Sequence, residues 1–177
     1  MIRYLRLFYG MGCIGLLMAV AVLTLSGCGS SPPKQKGPAP DQALERFNRA
    51  ARQAYDKGRL EQAANFYRRA LERAYVRDDT AAVLDAQYNL AVCLLNLQSY
   101  EEALDVVRRA NTEMALTDYG KSLDFLLLEA TILHRRGDLD EAWQITDQIL
   151  SSQIEAASAI GSKTHFLRGL MASERGD

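Results

Sequence analysis

The chain has 177 residues, 24% of them charged, and a formal net charge of −1 at pH 7. That balance lacks the basic excess of a nucleic-acid binder, so no nucleic acid is expected as a partner. Three cysteines and two histidines are spaced for neither a disulfide framework nor a metal site, and no metal is expected.

The first element is an N-terminal segment in which Arg3 and Arg6 precede an uncharged run, with Met11 to Leu25 as its apolar core. This is the layout of a secretory signal. The run closes on Leu25-Ser26-Gly27-Cys28, which resembles a bacterial lipoprotein signal: an aliphatic residue, two small residues, then the cysteine that is lipidated. The resemblance implies a signal peptide over residues 1–27 and lipidation at Cys28. The alternative is an uncleaved anchor, since Leu7 to Gly27 is 21 residues and about 20 span a bilayer. A single acyl chain binds reversibly, whereas the two or three of a lipoprotein hold it durably in one leaflet. Residue 29 is glycine rather than the aspartate that commonly retains such proteins in the inner membrane. The expected location is therefore the cell envelope, lipid-anchored at the outer membrane and facing the periplasm.

Residues 28–40 follow as a tether. All four prolines of the chain, Pro32, Pro33, Pro38 and Pro40, lie here among Gly, Ser, Lys, Gln and Ala. Such a stretch cannot bury a core. At about 3.1 Å per residue in polyproline form it reaches roughly 35 Å.

Residues 41–177 form the expected folded domain. Apolar residues recur every three or four positions without strand-like alternation, so the domain is read as all-α. After removal of Cys13 and acylation of Cys28, Cys93 is the remaining thiol; its apolar run, Leu90 to Leu95, predicts burial. A repeat then emerges. Positions 58, 98, 137 and 176 are Gly, Gln, Gly and Gly, spaced 40, 39 and 39 apart. Seven residues before each comes Ala51, Ala91, Ala130 or Gly169, and five after the first three comes Ala63, Ala103 or Ala142. Small residues at these places let two helices cross at 8–10 Å. A left-handed residue ends each first helix, a role that Gly fills more easily than Gln98.

These units resemble the tetratricopeptide repeat (TPR), a helix, a tight turn and a second helix stacked into a solenoid. The match is best in unit two, where Tyr88-Asn89-Leu90-Ala91 is read as opening the first helix and Tyr100-Glu101-Glu102-Ala103-Leu104 the second. The expected architecture is an all-α TPR-type helical-hairpin solenoid of about three repeats plus a terminal helix. The 39–40-residue period exceeds the family's 34, which predicts longer second helices, such as Leu60 to about Tyr75. Ile149 stands where units one and two have Ala70 and Ala110. Ser162 to Arg175 reads as a fourth first helix with Phe166, Leu167, Leu170 and Met171 on one apolar face; it either caps the third unit or opens another.

Function in such a scaffold comes from the concave face lined by the first helices. The resemblance implies a partner-binding groove of Asn48, Arg52 and Tyr55 from unit one, Tyr88, Val92, Leu95 and Asn96 from unit two, and Leu127, Thr131 and His134 from unit three. Asn48, Arg52, Asn89, Asp124 and Leu128 occupy the places where some TPR proteins clamp a C-terminal carboxylate, and they do not make that clamp. Charge is uneven: residues 28–77 hold 11 Lys/Arg and 5 Asp/Glu, residues 78–177 hold 8 and 17. The basic half, with Arg68, Arg69 and Arg73, suits either solvated helix faces or anionic headgroups near the tether. No catalytic constellation stands out. His134 and His165 read as groove or packing residues, Trp143 as buried, and Asp138, Asp140 and Glu141 as acids favoured at a helix start. The expected function is a membrane-anchored protein–protein interaction scaffold that binds an envelope protein or peptide, without enzymatic activity or cofactor. The alternative is a periplasmic lipoprotein that holds a small apolar ligand.

Overall fold

The computed structural model describes residues 40–117, 122–152 and 158–176. The expected signal peptide, Cys28 and the tether up to residue 39 lie outside the described residues. Seven helices are present among the described residues: α1 (Gln42–Asp56), α2 (Leu60–Val76), α3 (Thr80–Asn96), α4 (Tyr100–Ala115), α5 (Leu123–Arg136), α6 (Leu139–Ser151) and α7 (Ala159–Arg175).

Helix α1 starts where it does because the Asp41 carboxylate accepts hydrogen bonds from the Ala43 and Leu44 amides, at 2.9 and 2.8 Å. It satisfies two donors that the first turn leaves without an intrahelical partner. Its other oxygen holds Arg73 at 2.7 Å and Arg77 at 3.1 Å, tying the end of α2 to the start of α1. The Arg73 guanidinium, helped by the Leu44 amide, holds the Asp41 carboxyl well below the usual carboxylate range.

One turn recurs between helices. Gly58, Gln98 and Gly137 have φ of +70°, +60° and +99°. At each, the next residue's amide donates back into the helix: Arg59 to Ala54 O, Ser99 to Leu94 O and Asp138 to Leu133 O, all at 2.9 Å. The same bond pattern closes α2, where Asp78 has φ +52° and the Asp79 amide donates to Ala74 O at 3.1 Å. Helix packing follows the chain: each helix packs on the next, and α5 also meets α3 and α7. This nearest-neighbour pattern is that of a solenoid.

The core is built on the small residues. Ala51, Ala91 and Ala130 of the first helices and Ala63, Ala103 and Ala142 of the second have no exposure, nor do Ala70 and Ala110. Leu94, Leu104, Ile132, Leu133 and Ile149 fill the space between helices and are fully buried. Cys93 is buried as expected, and burial pushes its thiol up to about 11. Two buried polar side chains are held across helices: Arg108 (3.0 Å) and Asn111 (2.9 Å) donate to Glu129, and Gln87 donates to the Tyr75 hydroxyl and to Glu113, both at 3.0 Å, while Gln87 Oε1 has no hydrogen-bond partner among the described residues.

Several expectations are corrected. Unit two's first helix opens at Thr80, not Tyr88, because the Asp79 side chain accepts from the Ala82 amide and caps it there. The extra repeat length therefore lies in α3 (17 residues) as well as in α2 (17) and α4 (16), while α6 has only 13. The apolar face of α7 is split: Leu167 and Met171 are buried, but Phe166 is 70% and Leu170 40% exposed. Gly169 is also free of close contact, since a Cβ there would meet nothing within 4 Å. Trp143 is only half-buried; Arg168 and Arg175 lie over its ring, 4.2 and 4.9 Å from the centroid.

Candidate functional site

The repeat places equivalent residues side by side on the first helices. Asn48, Tyr88, Leu127 and Phe166 share one register position, 40, 39 and 39 residues apart; Arg52, Val92, Thr131 and Leu170 share a second. All ten expected groove residues lie within α1, α3 and α5, and none is fully buried. The structure brings several together. Asn96 Nδ2 donates to the Tyr55 hydroxyl at 3.1 Å, joining α1 to α3, and to Val92 O at 2.9 Å. Two repeat units on from Tyr55 and Asn96, His134 Nε2 meets Glu174 Oε1 at 3.0 Å, joining α5 to α7. For the carboxylate to accept, Nε2 carries the proton. Thr131 is less available, because its hydroxyl donates to Leu127 O at 2.7 Å. Asn48 Oδ1 is buried without a hydrogen-bond partner among the described residues.

Two hollows open along this face. The first, about 430 Å³, lies between α3 and α5 over Leu84, Asp85, Tyr88, Met114, Asp124 and Phe125. Tyr88 meets Phe125 edge-to-face at 5.4 Å between centroids and 82° between planes, a favoured aromatic geometry. Burial, reinforced by Asp124, raises the Tyr88 phenol. The second hollow, about 580 Å³, lies between α5 and α7; Leu127, Thr131 and His134 meet Arg135, Lys163, Phe166, Leu170 and Glu174 there.

Sequence reasoning missed Phe125 and Asp85 in the first hollow and every α7 residue of the second. The signal was present, since extending the register of Tyr88 and Val92 by two repeats lands on Phe166 and Leu170. The basic side chains Arg68, Arg69 and Arg73 are engaged elsewhere. Arg68 pairs with Glu102 at 2.6 Å, Arg73 with Asp41, and Arg69 lies 4.4 Å from the centroid of the Phe47 ring. Among the described residues, no group of His, Cys, Asp and Glu could hold a metal ion, and no helix is long and apolar enough to cross a membrane.

No protein-family model matches the chain, and no curated protein matches it. Among solved structures it is similar to a TPR-like protein from Chlorobium tepidum, at 18% identity over 76% of this chain and 95% of that one, with a TM-score of 0.59. At that identity the likeness concerns the fold alone. The chain has an all-α, TPR-like helical-repeat fold.

Proposed function

We propose that this chain is a lipid-anchored scaffold of the bacterial envelope, held by Cys28 at the periplasmic face of the outer membrane, that binds a protein partner on its concave face. The observation that carries the reading is the pair of hollows flanking α5, where aromatic and aliphatic side chains stay accessible although a packed core lies beneath them. Both hollows are open to solvent rather than enclosed, which favours a peptide or helix of a partner over a small apolar molecule. Exposed aromatics also suit binding hot spots, where truncation typically costs about 2 kcal/mol or more.

Two measurements test the two halves of the proposal. Metabolic labelling with a palmitate analogue should mark the wild type and not Cys28→Ser; labelling of the variant refutes the anchor. Crosslinking in the native envelope, followed by pull-down, should recover fewer partners with Tyr88→Ala/Asn96→Ala and with Phe166→Ala. The last is the cleaner variant, because Phe166 is 70% exposed and its loss spares the core. Equal recovery from all three proteins refutes the concave-face reading.

A further inference from the structure

The hydrogen bonds that join successive first helices form rungs between fixed register positions. Tyr55–Asn96 is one rung and His134–Glu174 another, with both partners shifted by whole repeats: 55, 95 and 134 on one side, 96, 135 and 174 on the other. The middle rung pairs the positions of Leu95 and Arg135. A leucine side chain neither donates nor accepts, so this rung cannot close, and the guanidinium of Arg135 is left over. Among the described residues Arg135 has no ion-pair or hydrogen-bond partner; neither has Lys163 across the hollow, and both are exposed. This differs from Arg68, Arg73, Arg108, Arg136, Arg168 and Arg175, each of which holds a carboxylate. The carboxylate inside the hollow, that of Glu174, is taken by His134.

The α5–α7 hollow thus has an apolar floor of Leu127, Phe166 and Leu170 and, at its rim, two cations without an ion pair among the described residues, against the single carboxylate of Glu174. The α3–α5 hollow has the opposite sign, with Asp85 and Asp124 beside Tyr88 and Phe125. Asp124 and Arg135 are 11 residues apart on α5, which is about 16 Å at 1.5 Å per residue. That is roughly twice the Debye length of about 8 Å at physiological ionic strength, so the acids at one end do not cancel the cations at the other.

Resting on the concave-face reading, we propose that the α5–α7 hollow is an anchor subsite for a partner segment in which a bulky apolar side chain sits beside a carboxylate. The apolar group packs on Phe166 and Leu170, and Arg135 and Lys163 receive the acid, Arg135 with the planar fork that matches a carboxylate. The acidic α3–α5 hollow repels the same carboxylate, which fixes the orientation of the segment.

The test is selection from a random-sequence peptide display library on the full-length lipidated protein in detergent micelles. The wild type should enrich segments with Asp or Glu within about two residues of Leu, Ile, Phe or Trp. Arg135→Glu/Lys163→Glu alters two exposed, unbonded side chains and should leave the circular dichroism unchanged. It should bind the best selected peptide at least tenfold more weakly by fluorescence anisotropy and should enrich Lys or Arg instead. Peptides that lack an acidic bias but lose binding with Phe166→Ala would overturn this inference and leave the concave-face reading standing. No enrichment by the wild type, or binding indifferent to both Phe166→Ala and Tyr88→Ala, would overturn both.

Discussion

The turn at Gln98 offers a quantitative check on how the repeats close. Gln98 has φ +60°, in the left-handed region, whereas the equivalent positions are Gly58 and Gly137. Placing an L-residue there costs about 1–2 kcal/mol, because the side chain crowds the following carbonyl. Glycine removes that strain but has more freedom to lose on folding, which returns roughly 0.5–1 kcal/mol. Gln98→Gly should therefore stabilise the protein by a net of about 0.5–1 kcal/mol, a rise in Tm of roughly 2–4 °C for a domain of this size. Gly137→Ala is the converse. A Cβ there meets nothing within 4 Å, so only the conformational term acts, and the variant should lose about 1 kcal/mol or more. Thermal unfolding followed by circular dichroism measures both. An unchanged or lower Tm for Gln98→Gly, or an unchanged one for Gly137→Ala, would refute the argument that backbone conformation rather than side-chain contact governs these turns.

Ala91, which has no exposure at the crossing of α3 with its neighbours, should not tolerate enlargement. Ala91→Leu is expected to overpack the crossing and destabilise by about 1–3 kcal/mol in urea unfolding, and an unchanged midpoint would contradict the repeat register. Asp41 gives a pH dependence. Its carboxyl is held below its ordinary value of 3.8, so its contribution is fully present above about pH 4 and is lost as pH falls through the lower folded value. Asp41→Asn keeps a capping oxygen but removes the charge. The Tm difference between wild type and this variant should shrink as pH is lowered from 6 to 2, and a constant difference would show that the Arg73 and Arg77 pairs add nothing.

Much of this fold was legible because it rests on short-range rules. The left-handed positions 58, 98, 137 and 176 and the alanines around them each obey a local constraint, and their spacing gave the helices and their order. The start of α3 was equally local, written in Asp78-Asp79-Thr80 as a left-handed residue followed by a cap, but the shorter family pattern drew attention to Tyr88 instead. Other features depend on residues far apart in the chain. Glu129 is bound by side chains 18 and 21 positions away, and Gln87 by one 26 away, so nothing near either residue marks it as a buried polar group. Trp143 reads as fully buried from its own segment because the cations over it come from α7, in the next unit. Phe166 and Leu170 read as core residues from their spacing because helical periodicity shows which side chains share a stripe, not how wide a stripe the neighbours cover.

The ion pairs also repeat, and this bears on how structure and binding are divided in the molecule. Arg68–Glu102 recurs as Arg108–Glu141, and Arg136–Glu101 recurs as Arg175–Asp140, each partner moved by 39 or 40 residues. Exposed pairs of this kind contribute about 0–1 kcal/mol each, so they add little stability; the buried alanines and the aliphatic residues between them supply most of it. What the pairs add is agreement on register between neighbouring units, as a slip of one residue would break them together. The concave rungs do not recur in this way. The positions that hold Tyr and Asn in one rung hold Leu and Arg in the next and His and Glu in the third. Since packing and register are secured elsewhere, side chains on this face are free to differ from unit to unit. That freedom is what a surface needs if it is to recognise one partner segment along its length, and it leaves at the α5–α7 hollow two cations, Arg135 and Lys163, that hold no carboxylate among the described residues.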